Sequence, residues 1–138
     1  MATEKEKIQA YLSGRQYAVA GASRDRAKYG NKVLRVYLQN KREVHPINPN
    51  APEVEGLRAY PDIDSLVKDV PDIHGVSIVT PPAVTEKLVE RIAAAGIKHV
   101  WMQPGAESDK AIARAQALGL YVIGGGPCVL ATMGYHEK

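Results

Sequence analysis

The chain has 138 residues, of which 45% are apolar and 24% charged, and a formal net charge of +3. At this length a single domain buries roughly 68–70% of the surface its unfolded chain exposes, enough for a true core. The charge is too mild to imply nucleic acid, no apolar run approaches the ~20 residues that span a bilayer, and the start MATEKEKIQAYLSG lacks a signal peptide's apolar stretch. Cys128, the single cysteine, excludes an internal disulfide and fits a reducing, cytoplasmic setting. The expectation is one domain over residues 1–138.

Residues 4–12 place Ile8, Tyr11 and Leu12 at helical spacing, and Ser13-Gly14 stops them. Tyr17–Gly21 reads as a first strand. Lys28–Gln39 carries Val33, Leu34, Val36, Tyr37 and Leu38 in a helical pattern closed by NKRE. Val44–Ile47 is a second strand, ended by INPNAP, where two prolines forbid further ladder hydrogen bonds. Gly56–Tyr60 is short and extended, and PDIDSL reads as a cap followed by a brief helix. His74–Thr80 is the next strand, broken by Pro81-Pro82. Ala83–Ala95 is a helix whose C-cap falls to Gly96, which tolerates positive φ. Ile97–Met102 is a strand, Glu107–Leu118 a helix, Leu120–Ile123 the last strand, and GGGPCVLATMGYHEK a flexible end.

Strands alternating with helices, each strand nearly continuous in Val, Ile and Ala, predict a Rossmann-like open parallel α/β sheet of about five to six strands with helices on both faces. Ligands in such sheets bind at the carboxyl ends of the strands, where the strand order reverses. Four segments share that rim: GASRDRAKYG, INPN, TPP and QPG.

The first of them is a strand-to-helix turn rich in cations. Arg24, Arg26, Lys28, Lys32 and Arg35 fall close together against Asp25 alone. Amides at the helix start and the helix dipole add to the attraction for an anion. Lys32 and Arg35, further along, read as a solvated helix face, and for Ser23 a plain helix cap is the alternative to contact with a ligand. The dinucleotide fingerprint GxGxxG is absent, and Asn48 and Pro49 stand where an acid would hold the ribose of NAD. No GxxxxGK[ST] occurs, so a P-loop NTPase is excluded.

GASRDRAKYGNKVL, VHPINPN, EGLRAYPDI, VTPP, VWMQPG and a late Cys128, in that order, resemble the small stand-alone CoA-binding proteins. These are similar to the N-terminal domain of the succinyl-CoA synthetase α subunit. The resemblance runs from about Ile8 to Leu130. It implies that Gly21, Ala22 and Ser23 present amides and a hydroxyl to the CoA pyrophosphate, with Arg24, Lys28 and Tyr29 holding or bordering phosphates. It places Asn48 and Pro49 beside the adenosine and Thr80, Pro81 and Pro82 as a wall. Gln103, Pro104 and Gly105 would line the path of the pantetheine arm, with Cys128 near the CoA thiol. The α subunit carries a lysine two positions after the second-strand proline; here Ala51 stands there. His45, His74, His99 and His136 match no part of that synthetase's phosphohistidine loop and have no HxxxH or CxxC partner for a metal.

The expected function is a non-catalytic module that binds coenzyme A or an acyl-CoA, with a protein partner or a homo-oligomer as further context. Alternatives are an NAD(P)-binding oxidoreductase-like protein, a synthetase fragment acting with another polypeptide, and a protein–protein module with a vestigial nucleotide site.

Overall fold

A computed structural model describes residues 2–137. In chain order the elements are α1 (Glu4–Leu12), β1 (Gln16–Ala20), α2 (Tyr29–Gln39), β2 (Glu43–Ile47), β3 (Glu53–Val54), β4 (Leu57–Arg58) and α3 (Ile63–Asp69). They continue with β5 (Ile73–Ile78), α4 (Pro82–Ala94), β6 (His99–Met102), α5 (Asp109–Ala117), β7 (Tyr121–Ile123) and α6 (Val129–Met133). Five strands form one parallel sheet in the order β2-β1-β5-β6-β7. The chain runs outward from β1 to β2, then crosses back to β5 on the other side. The order therefore reverses between β1 and β5, and a crevice opens above their carboxyl ends.

Side chains alternate strictly between two cores because successive strand residues face opposite sides. Ala18 and Ala20 of β1 join Val76, Ile78, Val100 and Met102 on the face covered by α3, α4 and α5. Tyr17 and Val19 join Trp101 and Ile123 on the face covered by α1, α2 and α6. Rossmann-like architecture with helices on both faces is thus the observed fold.

The second core holds a closed set of buried hydroxyls. Tyr11 and Tyr37 lie 2.7 Å apart, and Ser77 of β5 sits 3.2 Å from the first and 2.7 Å from the second. Each hydroxyl can donate once and accept once, so three buried polar groups satisfy one another. Burial holds both phenols in the neutral form, with pKa values above the ordinary range. Gly75 makes room for this cluster: a Cβ there would fall 2.7 Å from the Tyr11 ring.

The extended segment expected at Gly56–Tyr60 holds β4, and the structure adds its pairing with β3 and corrects the end of the chain. The segment after Pro52 is a hairpin, β3 against β4, turning through Glu55 at φ 51° and Gly56 at φ 78°. Tyr60 then bridges in parallel to Ile47. The end expected to be flexible contains α6, with Val129 buried against α2 and Trp101 Nε1 donating to the Pro127 carbonyl at 3.0 Å. Beyond it, Gln39 and His136 exchange two hydrogen bonds, which pins the tail along α2.

Gly75→Ala forces the Tyr11 ring aside and lowers stability by about 1–3 kcal/mol, the usual cost of overpacking. Urea unfolding monitored by the Trp101 fluorescence measures it; an unchanged midpoint contradicts the account of this contact.

Candidate functional site

The rim is organised by two glycines. Gly21 ends β1 at φ 90°, and a Cβ there would lie 2.8 Å from the Val79 carbonyl oxygen of the neighbouring strand end. Gly30, in the first turn of α2, lies so close to the same turn that a Cβ would fall 2.0 Å from the Gly21 carbonyl oxygen. Together they perform the tight turn and the close helix approach that a GxGxxG loop divides among three glycines. The α2 N-terminus is thereby pressed against the carboxyl end of β1. Lys28 is its N-cap, in extended backbone, and no side chain caps it. Thr3, Asp62 and Ser108 do cap α1, α3 and α5. Across the crevice α4 begins after Pro81, also without a side-chain cap, and Pro82 is its first residue.

Arg24, Lys28 and Tyr29 are exposed at this rim. Among the described residues neither the Arg24 nor the Lys28 side chain makes a hydrogen bond or ion pair. The Ser23 hydroxyl accepts from the Asp25 amide at 3.1 Å, so it shapes the turn and does not cap α2. Its own hydrogen stays available to a ligand oxygen. Asn48 is spent on the protein: Nδ2 donates to the Ala22 carbonyl at 2.9 Å and Oδ1 accepts from the Asn50 amide at 2.7 Å.

A polar clasp behind the turn escaped the sequence reading. Asn31, fully buried, donates through Nδ2 to the Ser23 carbonyl at 2.9 Å and to Glu55 Oε2 at 3.1 Å, while Oδ1 accepts from Arg35 Nε at 2.6 Å. Arg26 pairs with the other Glu55 oxygen, and Arg35 Nη2 donates to the Arg26 carbonyl at 2.8 Å. Arg35 is therefore not the solvated residue its position suggested: it is buried at 5% exposure, with its guanidinium over the Tyr135 ring. The sequence signal was an Asn four residues before an Arg beside the apolar stripe of α2, a spacing that stacks the two side chains. The Asn31 amide above all, with help from Arg26, holds the Glu55 carboxyl below its ordinary value of 4.5.

Two cavities adjoin at Thr80. The first, about 270 Å³, lies at the switch point between Gly21, Ile47, Pro49, Ile63, Val84 and Leu88, with Asp62, Asp64 and Arg91 at one side. The second, about 260 Å³, runs between Tyr29, Val79, Pro81, Pro104, Gly105 and Ala106. Thr80 itself is held by Thr85, its hydroxyl 2.8 Å away. Of the sequence candidates, Gly21, Pro49 and Thr80 thus line the first cavity, and Tyr29, Thr80, Pro81, Pro104 and Gly105 the second. Ala22 and Gln103 are buried beside them, while half-buried Cys128 lines neither cavity. A larger open groove, about 600 Å³, separates α4 from α5. Four of its charges are matched internally, in Glu86–Lys110 and Glu90–Arg114 pairs.

Three of the histidines contact the scaffold through their rings. His45 is 3.0 Å from Gln16 Oε1, and His74 and His99 stack at 4.3 Å near the amino ends of the strands, away from the rim. Among the described residues no three His, Cys, Asp or Glu side chains gather as metal ligands, and no helix is long and apolar enough to cross a membrane.

Fold and rim together define an open, doubly wound α/β domain with a crevice at its switch point. The chain belongs to the CoA-binding domain family, matched over residues 15–133. It is 34% identical over 84 residues to the ADP-forming acetate–CoA ligase II of Archaeoglobus fulgidus, covering 59% of this chain and 12% of that one. The corresponding ligase of Methanocaldococcus jannaschii is 30% identical over 81 residues. The chain spans 12% and 11% of the length of these curated relatives. Among solved structures, a conserved hypothetical protein of Pyrococcus furiosus superposes with a TM-score of 0.77 at 35% identity, covering 86% of this chain and 98% of that one. The dinucleotide-forming acetyl-coenzyme A synthetase 1 of Ca. Korarchaeum cryptofilum superposes at 0.70 and 30% identity, covering 85% of this chain and 27% of that one.

Because the Glu55 carboxyl titrates lower in the folded chain than in the unfolded one, its stabilisation is complete above pH ~4.5 and is lost as pH falls through the folded value. Glu55→Gln is accordingly less stable than the parent at pH 7, and the gap narrows by pH 3. Urea unfolding at both pH values tests this; a constant gap removes the carboxylate's charge from the clasp.

Proposed function

We propose that this protein binds coenzyme A or an acyl-CoA at the β1–β5 crevice and performs no chemistry of its own there. The observation that carries the reading is the pair of cavities joined at Thr80 beneath the uncapped start of α2. A compact apolar cavity suits the flat adenine. The neighbouring groove suits an extended arm, and the loop that starts at Gly21 carries two exposed cations whose side chains have no protein partners among the described residues. Gly21, Ala22 and Ser23 take the pyrophosphate, with Arg24 and Lys28 adding charge and Tyr29 bordering it. Pro49 and Thr80 enclose the adenosine with Pro81 and Pro82 beyond them, and Asn48 acts by fixing the Ala22 peptide. Gln103 and Gly105 follow the arm towards Cys128. With Ala51 at the position of the α-subunit lysine, the 3′-phosphate falls to the cations of the first loop.

The NAD(P) alternative is weaker because no carboxylate ends β2 to hold a ribose diol, and Asn48 in its place is already bonded to the loop. Partnership with another polypeptide has one supporting observation: the ligases resembling this chain are several times its length.

CoA at ~100 times its Kd adds about 2.7 kcal/mol of stability and raises the melting temperature by several degrees, whereas NAD at equal concentration leaves it unchanged. A thermal-shift titration decides between them, and a shift with NAD or NADPH alone would falsify the CoA reading. Lys28→Glu melts at the parent temperature without ligand and binds CoA about 10- to 100-fold more weakly, as expected on losing a hydrogen bond between charged groups. Parent-like affinity in a calorimetric titration of this variant takes Lys28 out of the site.

A further inference from the structure

Among the described residues two buried side-chain nitrogens have no hydrogen-bond partner, Arg35 Nη1 and Gln103 Nε2. The first belongs to a guanidinium already bonded at Nε and Nη2 within the clasp. The second is a different case. Gln103 is 2% exposed and follows β6 directly at the carboxyl rim of the sheet. Its backbone is fixed on both sides, the amide donating to Ile78 O at 3.0 Å and the carbonyl accepting from Ala106 N at 2.8 Å. The side chain cannot flip, because Oε1 accepts from the Val129 amide at 3.3 Å and a flip would set N–H against N–H. Two amide hydrogens are therefore held in place, buried, with no acceptor. A group of that kind calls for an oxygen.

The next two residues, Pro104 and Gly105, line the groove that runs from Thr80. Cys128 precedes Val129 on the other side of the Gln103 amide. Glu107 ties the two flanking segments together, accepting from Gly105 N at 2.9 Å and from Gly125 N at 3.3 Å. We infer that Gln103 Nε2 donates to the thioester carbonyl oxygen of an acyl-CoA, which makes the acyl form the preferred ligand of this site. The inference rests on the CoA reading above and adds the acyl group to it. A free thiol is a poor acceptor and leaves Nε2 unpaired, whereas a thioester oxygen satisfies it. The amides of the pantetheine arm lie along an open groove, where water can serve them. Nε2 is closed to solvent without ligand, so the two segments part on binding and the Glu107 tie gives way.

Calorimetric titration of CoA, acetyl-CoA and S-ethyl-CoA, a thioether without the carbonyl, into the parent, Gln103→Met and Gln103→Glu tests the contact. Gln103→Glu keeps the acceptor for Val129 and loses the donor, and the unliganded melting transition of each variant shows that it is folded before its affinities are compared. The parent binds acetyl-CoA about five- to tenfold tighter than S-ethyl-CoA, and both variants lose that preference. Equal affinity of the parent for acetyl-CoA and S-ethyl-CoA overturns the inference. So does an equal loss for all three ligands in the variants, which would set Gln103 against the pantetheine amides. A parent that binds none of the three instead removes the CoA reading beneath it.

Discussion

Everything at the rim depends on how closely α2 approaches the end of β1. With Gly30 packed on the Gly21 carbonyl, there is no space for even one methyl group between helix and turn. That contact aims the first amides of α2 at the crevice and fixes the path of the loop bearing Arg24 and Lys28. Gly21 meets the opposite constraint, at positive φ with the Val79 carbonyl at its back. A side chain at either position would push the helix off the strand, and the anion-attracting surface would go with it.

The loop between these glycines contains no regular structure, yet it is held from behind. Asn31 joins the Ser23 carbonyl to the β3–β4 hairpin through Glu55, and Arg35 closes the network against Arg26. Such a buried polar network is stabilising only when its members satisfy one another. Here it also sorts the cations. Arg26 and Arg35 are engaged by the clasp, while the Arg24 and Lys28 side chains are exposed and have no protein partners among the described residues. One run of basic residues thus divides into a structural half and a half available to a ligand. On the same face the Tyr11–Tyr37–Ser77 hydroxyls lock α1 and α2 to β5, making the scaffold behind the loop rigid.

The layered fold was legible because two-residue and helical periodicities are local properties of sequence. The segments from Tyr17 to Gly21 and from His74 to Thr80 announced buried parallel strands by runs rich in Val, Ile and Ala, and Gly96 marked a helix end that the structure places at φ 83°. The β3–β4 hairpin was less visible: each strand has two residues, too short for any alternation to register. Likewise α6, five residues after a glycine run, has its apolar face defined by α2 and not by its own pattern. At the rim, sequence identified the turn, the prolines and the cations. It missed the division of labour among those cations, since Asn31, Glu55 and Arg35 meet only after β2 and the hairpin fold beside α2. Gln103 was named from a resemblance, whereas its unpaired amide is a property of packing alone.

The most direct test of the central claim is the amide proton–nitrogen spectrum of the labelled protein during titration with CoA. The account predicts saturable shifts concentrated at Gly21–Ser23, Lys28–Gly30 and Thr80, with the amides of the α4–α5 groove unmoved. Shifts confined to that groove, or none while CoA is in large excess, would contradict it.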